Sequence, residues 1–571
     1  MSFMKKIILA SIALTALIFS GCEDRLDIPQ KGVILPEDYY KTDADAESAL
    51  ASAYYTAGRF YSNTMWTTAG WNECPFLSMW EYASDNIYAA GNNKADNLDC
   101  NAINSFRHET NNSLITGTYE CYYMIIRIAN LVIDNFDGDK ADTDTKKRCV
   151  AEARVLRDQA QLLLTLGWGT APIADHVYNS TDDKPGNATS QADALQWIAD
   201  DLKLAIPYLT SKDSIDDKNG AVKVTKEYAK ALEAKALLSL KDYEGAKTLL
   251  KEVIDTDLYD LVPSNKMTSL YHYSGRGCKE SVFELNLVFS GQGDYYGRCQ
   301  PNWKILWSWR SEKINPPTGP GTEYVHNGWG EVCPSEKFVN KILEYDGANS
   351  ARRKAWIKSY DEVLYEMPYV SDADCPTLDD KKADKKRGII AADGLYGNVG
   401  YFMWKHLYRV EDQTSTNEIR WNMCLMRYAE VLLMYAECCA MTSDPDGSGL
   451  AALQKVNLRA QSQTPVTALN MATVKTEKFL EMWLDGTRFQ DLVRWGDAEA
   501  ELGHNGEDYP SFCDAMFTKN EAVHRGYIER ADADWCKKLY NVGFKKGKNE
   551  VFPFPFKEVQ INPNIKQNPG Y

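Results

Sequence analysis

The sequence has few of the residues and motifs on which metalloenzymes and nucleotide-binding proteins depend. Its 571 residues include only seven histidines, which form no cluster. No C-x-x-C pair and no H-E-x-x-H motif occurs, so a zinc site has no sequence support. No G-x-x-x-x-G-K-[S/T] loop is present to hold a nucleotide phosphate. We therefore expect neither a metal ion nor another cofactor.

Long apolar runs are also missing, apart from one near the N-terminus. Ile7 to Phe19 is an apolar run of 13 residues that follows two lysines. A spanning helix needs about 20 such residues, so this run has the length of a secretory signal. It ends in Phe19-Ser20-Gly21-Cys22, which resembles a bacterial lipobox; the alternative is an ordinary signal with an incidental cysteine. We expect residues 1–21 to be the signal peptide and Cys22 to carry the lipid that alone holds the protein to the membrane.

Basic residues are fewer than acidic ones. The chain has 64 Lys and Arg against 80 Asp and Glu, a net charge of −16. Removal of residues 1–21 takes away two lysines and no acids, which brings the charge to −18. Affinity for nucleic acid comes largely from basic residues that displace counterions. We therefore expect no nucleic-acid partner.

The cysteines do not indicate a disulfide framework. The chain has 14, and acylation of Cys22 leaves an odd number. Cys438 and Cys439 are adjacent, and most of the others are widely scattered. We expect most of them to be buried free thiols that act as small hydrophobic residues.

Helical periodicity is the main structural signal. Apolar residues recur at spacings of three and four, which buries one face of a helix against a neighbour. The stripes begin at Tyr122, Ala153, Leu195 and Leu425.

Two segments have the form of helix hairpins. Residues 228–254 have small or apolar residues at the intervals of a tetratricopeptide hairpin, and residues 424–462 predict a second hairpin with a turn at SDPDGSG. Residues 260–420 are irregular and rich in Gly, Pro and aromatic residues, with short strand-like runs such as Ser281 to Leu285. We expect this region to be a loop-rich elaboration, where binding sites tend to lie.

Several local patterns occur in the same order as in a known family. The most specific are Arg427-Tyr428-Ala429-Glu430-Val431-Leu432-Leu433 and the ending Asn562-Pro563-Asn564-Ile565-Lys566-Gln567-Asn568-Pro569-Gly570-Tyr571. Weaker ones are DADAESAL from Asp43, EARVLR from Glu152, WGTAP from Trp168 and DGTRFQDLVRWG from Asp485. Together they resemble the SusD/RagB family of outer-membrane nutrient-uptake lipoproteins.

The resemblance implies a mainly α, SusD-like single domain over residues 22–571. It implies a helical scaffold with tetratricopeptide-like hairpins at about residues 40–260 and 420–500, under a loop-rich face at about 260–420. It also implies an outer-membrane, outward-facing protein whose partner is a SusC-like TonB-dependent transporter. Two departures are a charged stretch at residues 371–387 and Ser350-Ala351-Arg352-Arg353 in place of the family's Asp-Pro-Arg-Arg.

Aromatic residues concentrate in two windows outside the helical stripes. Flat aromatic rings can bind the C–H faces of sugars while polar groups take the hydroxyls. The first window and its polar neighbours are Trp66, Trp71, Trp80, Asn86, Asn92, Asn93, Asp96 and Asn97. The second window is Tyr295, Tyr296, Trp303, Trp307, Trp309, Tyr324 and Trp329. We predict that these windows form a glycan-binding face; the alternative is that the rings fill the core.

The charged residues of the helices have a structural explanation. Their spacings of three and four suit ion pairs along or between helices. They are Glu152, Arg154, Arg157, Arg427, Glu430, Arg488, Asp491 and Arg494. Asp444-x-Asp446-x-Ser448-Gly449 matches the start of a calcium loop, but Lys455 stands where a bidentate Glu is needed, so we interpret it as a helix-connecting turn.

These observations favour a surface lipoprotein that binds oligosaccharide or polysaccharide and passes it to a transporter without catalysis. Three alternatives remain. The ligand could be a peptide, the protein could be a surface glycoside hydrolase, or it could be a lid that binds no ligand. No diagnostic motif selects a pair of catalytic carboxylates among the 80 acidic residues.

Overall fold

The computed structural model describes most of the chain. The described residues are 39–64, 67–69, 73–89, 97–179, 184–215, 221–287, 303–309, 314–315, 328–359, 362, 376–377, 379–380, 388–389, 401–412, 422–503 and 543–571. The fold is mainly α-helical, as predicted. Within these ranges, no helix is both long enough and apolar enough to cross a membrane.

The N-terminal part of the chain folds into helices, most of which have side-chain caps. At the first of them, Thr42 accepts a hydrogen bond from the backbone N–H of Asp45, whose carboxylate accepts one in return from the backbone N–H of Thr42. The helices are α1 (Asp43–Ser62), α2 (Ser78–Tyr82), α3 (Leu98–Asn104), α4 (Ser113–Phe136), α5 (Asp144–Trp168), α6 (Gln191–Ala205), α7 (Lys226–Ser239) and α8 (Tyr243–Ile254).

The C-terminal part supplies shorter helices. They are α9 (Trp303–Trp307), α10 (Glu336–Tyr345), α11 (Ala351–Trp356), α12 (Tyr428–Met441), α13 (Ser448–Ala460), α14 (Met471–Glu481), α15 (Arg488–Trp495), α16 (Ala498–Leu502) and α17 (Phe556–Ile561). Asp444 accepts hydrogen bonds from the backbone N–H groups of Gly449 and Leu450 at the start of α13. This confirms that the calcium-loop-like segment is a helix-connecting turn.

Strands are short and pair in twos. The antiparallel pairs are β1 with β4, β2 with β8, β3 with β6 and β5 with β7. The strands are β1 (Ile87–Ala89), β2 (Ser281–Asn286), β3 (Ile314–Asn315), β4 (Val332–Pro334), β5 (Ile357–Ser359), β6 (Gly388–Ile389), β7 (Tyr401–Met403) and β8 (Asn422–Arg427). The predicted strand at Ser281 is therefore confirmed.

The helices form a continuous series of packed neighbours. Helix α4 packs on α1 and α5, and the contacts continue through α6, α7, α8, α12 and α13. Both predicted hairpins are present, as α7–α8 and α12–α13. Ala234 and Ala246 are fully buried in the first hairpin, where small side chains let the two helices approach closely. Nine cysteines lie in the described ranges, all as free thiols and seven of them buried, as predicted.

The C-terminal segment is tied to the helices of its own domain. The indole N–H of Trp168 donates to the carbonyl of Pro553 (2.8 Å), and the Asn568 amide donates to the carbonyls of Trp168 (3.0 Å) and Phe552 (2.7 Å). The ring of Tyr571 stacks on His108. The Pro- and Asn-rich ending is therefore hydrogen-bonded to the C-terminal end of α5.

A cluster of charges is buried in the C-terminal half. Arg427 donates to Glu280 (2.6 Å) and Glu481 (2.9 Å), and Arg459 donates to the same two carboxylates at 2.8 and 2.6 Å. Burial alone would raise the pKa of Glu481, but the three guanidinium groups around it lower the pKa to about 2. The buried ion cluster consists of Glu280, Asp346, Arg352, Lys405, Arg427, Arg459, Glu477, Glu481 and Asp485.

The helical charges singled out in the sequence form ion pairs, as predicted, and most of these pairs are buried rather than solvated. Arg157 pairs with Asp201, Arg488 with Asp85, and Arg494 with Glu437.

We predict that Arg427→Met destabilises the fold by about 3–5 kcal/mol, because it removes one cation from a cluster in which three buried carboxylates, Glu280, Glu481 and Asp485, each pair with it. Lys455→Met is the matched control, because Lys455 pairs with Asp260 where both side chains are about half exposed. Exposed pairs contribute only about 0–1 kcal/mol. Urea unfolding of both variants checks the prediction, and equal losses would contradict it.

Candidate functional site

The fold brings the two aromatic windows together. Strand β1 follows the first window and pairs with β4, which follows the second; Tyr88 lies opposite Cys333 in this pair. The ring of Tyr82 also packs edge-on against Trp307, with 6.5 Å between ring centroids. Residues more than 200 positions apart in the sequence therefore share one face.

Several of the predicted ligand-binding aromatics lie in the core. Trp80, Trp303 and Trp307 are at most 1% exposed, and Trp309 is 4% exposed. The rings of Trp303 and Trp307 pack edge-on at 4.8 Å, and Trp309 lies on Phe402 at 4.7 Å. These four rings are in contact with protein, so in this structure they support the face rather than form its surface.

Trp329 is different, because 54% of its surface is exposed. Its backbone N–H donates to the carbonyl of Ile305 (3.0 Å), and the N–H of Gly330 donates to that of Ser308 (2.8 Å). A Cβ atom at Gly328 would lie 2.2 Å from the carbonyl oxygen of Trp309, so only glycine allows this close approach. The segment is thus fixed to α9 with the indole of Trp329 turned outward.

Asn97 joins the two windows. Its side-chain amide donates to Glu73 (3.2 Å) and to Glu331 (3.0 Å), two residues after Trp329. Its carbonyl oxygen accepts from the backbone N–H of Cys100 and so caps α3. Asn97 adopts a left-handed conformation with φ of 46°, which asparagine tolerates better than most residues.

A cavity of about 330 Å³ opens beside Asn97. Its polar lining includes Thr64, Glu73, Asp99 and Ser113. This volume is at the lower end of the range for small-ligand pockets, and the lining offers acceptors and donors suited to hydroxyl groups. Asn97 lines the cavity and contacts Glu331, two residues after Trp329, so we take the cavity and Trp329 together as the candidate site.

Glu73 and Glu331 are held close together, because the side-chain amide of Asn97 donates to both carboxylates. Burial raises the pKa of Glu73 above its ordinary value of 4.5, and hydrogen bonds with Ser78, Glu331 and Asn97 offset only part of this increase. Nothing in the sequence marked Glu73 or Glu331, because their pairing depends on contacts between distant segments.

Asn86 has a structural role. It is fully buried, and its side-chain oxygen accepts a hydrogen bond from Ser84 (2.7 Å). Its backbone carbonyl accepts from the indole N–H of Trp483 (3.1 Å). Asn86 therefore anchors the start of β1 and is not open to a ligand in this structure.

The remaining predicted residues lie outside the described ranges. They are Cys22, Trp66, Trp71, Asn92, Asn93, Asp96, Tyr295, Tyr296 and Tyr324. Within those ranges, no three His, Cys, Asp or Glu side chains come together in a way that could hold a metal ion.

Comparison with known proteins gives a consistent result. The sequence model of the SusD family matches residues 300–571. SusD-like protein P38 of Formosa agariphila is 24% identical over 88% of this chain and 94% of its own length.

Solved structures share the fold over nearly the whole chain. A laminarin-binding SusD-like protein has a TM-score of 0.69 at 23% identity, covering 93% of this chain and 100% of its own. Surface glycan-binding protein A from Bacteroides thetaiotaomicron, solved in complex with laminarihexaose, has a TM-score of 0.69 at 20% identity and covers 92% and 100%. At these identities the structural likeness establishes the fold.

We predict that Glu73→Gln removes a pH dependence of stability. A carboxyl group whose pKa is raised on folding stabilises the protein below its unfolded pKa, and this contribution is lost as pH rises through the folded pKa. The wild type should therefore lose stability relative to Glu73→Gln as the pH rises from about 4.5, by at most about 1.4 kcal/mol per unit. Melting temperatures across a pH series check this, and parallel curves for the two proteins would contradict it.

Proposed function

We propose that the chain is a SusD/RagB-family cell-surface lipoprotein that binds oligosaccharide or polysaccharide and delivers it to a SusC-like TonB-dependent transporter; the match of residues 300–571 to the SusD family and the SusD-like relatives support this proposal. The observation that carries the proposal is the exposed indole of Trp329, whose segment is linked through the Asn97–Glu331 hydrogen bond to a polar cavity. The fold thus provides an aromatic face for a sugar ring and hydrogen-bond acceptors for its hydroxyl groups.

The charge of the site favours an uncharged ligand. The charged side chains that line the cavity or contact Asn97 are all acidic: Glu73, Asp99 and Glu331. The mature chain also has a predicted net charge of −18. An anionic polysaccharide would be repelled, whereas neutral sugars can donate their hydroxyl hydrogens to these carboxylates. Proteins of the same fold include one that binds laminarin and one in complex with laminarihexaose. Laminarihexaose is therefore the first ligand to test.

We propose binding without hydrolysis. A retaining glycosidase holds its two carboxyl groups about 5–5.5 Å apart, and an inverting one holds them further apart. The side-chain amide of Asn97 instead donates to both Glu73 and Glu331, and so occupies the space between the two carboxyl groups where a glycosidic bond would have to lie.

We predict that Trp329→Ala weakens laminarihexaose binding roughly thirtyfold, equivalent to about 2 kcal/mol, because the central aromatic face is lost. Its melting temperature should stay unchanged, because the side chain is more than half exposed. Calorimetric titration and thermal melting of the same variant measure both effects.

Two controls sharpen this experiment. Tyr208→Ala removes an aromatic ring that is 53% exposed after α6 and should leave binding unchanged. Trp307→Ala should destabilise the fold by about 3–5 kcal/mol, as truncation of a core aromatic does. Normal binding by Trp329→Ala would refute the role of this residue. Shortened products after incubation would identify an enzyme, and peptide binding without glycan binding would identify the other ligand class.

The location and the partner are also proposals. The lipobox-like sequence before Cys22 supports a lipid anchor, and the Glu23-Asp24 pair after it resembles the signal that sends such lipoproteins to the cell surface. The transporter partner is inferred from the family. A lid over a transporter must let ligand enter while it remains attached, so we infer a large and mainly polar interface.

We predict that Cys22→Ala releases the protein from the outer membrane, because acyl chains provide the attachment and two or more are needed for stable anchoring. Membrane fractionation of cells that lack the transporter measures this directly. A variant that still sediments with the membrane would contradict the anchor.

A further inference from the structure

A second and larger cavity lies next to the candidate site. Its volume is about 590 Å³, within the range of small-ligand pockets. Helix α4 supplies one wall, the segment around Pro172 and Tyr178 a second, and the C-terminal helix α17 a third.

The two cavities lie along the same face of α4. Ser113 lines the smaller cavity, whereas Glu120 and Met124 line the larger one. With Gly117 between them, these residues follow spacings of four, three and four, which place them on one helical stripe. Ser113 and Glu120 are seven residues apart, or about 10 Å along the helix axis at 1.5 Å per residue.

A short segment, residues 67–69, separates the cavities. Ala69 lines the smaller cavity and Thr67 the larger. The backbone N–H of Thr68 donates to Glu120 at 2.7 Å, which fixes the segment to α4. A Cβ atom at Gly117 would lie 2.6 Å from the side chains of both Ala69 and Thr67, so the segment rests directly on this glycine. The cavities are therefore neighbours across one thin bridge.

The walls of the larger cavity are held in place before any ligand binds. The Tyr123 hydroxyl donates to the carbonyl of Pro172 (2.7 Å), which joins α4 to the second wall. The Asn562 amide donates to the carbonyl of Pro185 (3.0 Å), and the Lys184 ammonium donates to that of Ile561 (3.3 Å). These bonds join residues 184–185, which also line the cavity, to the end of α17. A preformed cavity loses little conformational freedom on binding.

The lining has the composition of a carbohydrate site. Tyr119, Tyr123 and Tyr178 provide aromatic surface, and the rings of the first two lie 4.8 Å apart. Glu120 and Glu558 provide acceptors, against the single cation Lys184 in the lining. This balance suits a neutral ligand rich in hydroxyls and disfavours an anion.

We propose that the larger cavity is a second binding site for neutral oligosaccharide, which holds a further stretch of the glycan chain bound at the candidate site. This inference rests on the proposed function and assigns a length preference to it. A chain long enough to cross the 67–69 bridge engages both cavities, so its second contact forms at high effective concentration and strengthens binding without any new chemistry.

The test compares the disaccharide laminaribiose, which is too short to occupy both cavities, with laminarihexaose in calorimetric titrations. We expect the wild type to bind laminarihexaose at least about tenfold more tightly than laminaribiose. Tyr178→Ala removes one aromatic wall and Met124→Arg fills the cavity from a 39%-exposed position, so each should abolish this gain and retain laminaribiose binding at the candidate site. Tyr208→Ala should keep the full gain.

The outcomes separate this inference from the proposed function. If both cavity variants melt like the wild type and keep its preference for laminarihexaose over laminaribiose, the second site is refuted while the proposed function stands. If the wild type prefers neither ligand length, the second site is equally refuted. If the wild type binds no glycan, the proposed function fails as well. If one of the two cavity variants has a lower melting temperature than the wild type, the other variant is used for the comparison.

Discussion

The buried ion cluster is the constraint on which the rest of the C-terminal half depends. Removing charges from water is costly, so such a cluster forms only where each carboxylate meets guanidinium or ammonium groups in good geometry. Glu481 meets this condition through Arg352, Arg427 and Arg459, which arrive from α11, the end of β8 and α13. All three elements must therefore be correctly placed before the carboxylate of Glu481 is fully paired. This requirement fixes the position of α14, which ends at Glu481.

The candidate site is held by residues that directly follow the cluster. Trp483, two residues after Glu481, donates its indole N–H to the carbonyl of Asn86 at the start of β1. The N–H of Gly486 donates to Glu81, whose pKa burial raises to about 8, so this carboxyl group is protonated at neutral pH. Strand β1 then positions β4 and the segment that carries Trp329. The pairing of β1 with β4 thus connects the segment that carries the exposed indole to the residues that follow the buried ion cluster.

The sequence indicates the helices well and the site only in part. Spacings of three and four follow from helix geometry, so the stripe from Ala153 and the hairpin at residues 228–254 predict α5, α7 and α8 without knowledge of their neighbours. Tryptophan density is less informative, because it does not state which ring faces solvent. Trp307 and Trp329 belong to the same window, yet one is completely buried and the other is more than half exposed. The difference arises from the close approach of Gly328 to the carbonyl of Trp309, a tertiary contact without local signal.

The position of both cavities on α4 has a physical reason. A helix of 24 residues that packs on α1 and α5 is rigid, so it can hold binding groups at fixed separation along its length. At Gly117 the side chains of Thr67 and Ala69 come directly against the helix, and Glu120 fastens their segment with its carboxylate. A Cβ atom at residue 117 would clash with both side chains, so this close approach of the 67–69 bridge requires glycine. The small residue therefore sets how the binding surface is divided, while the rigid helix sets the spacing between its two parts.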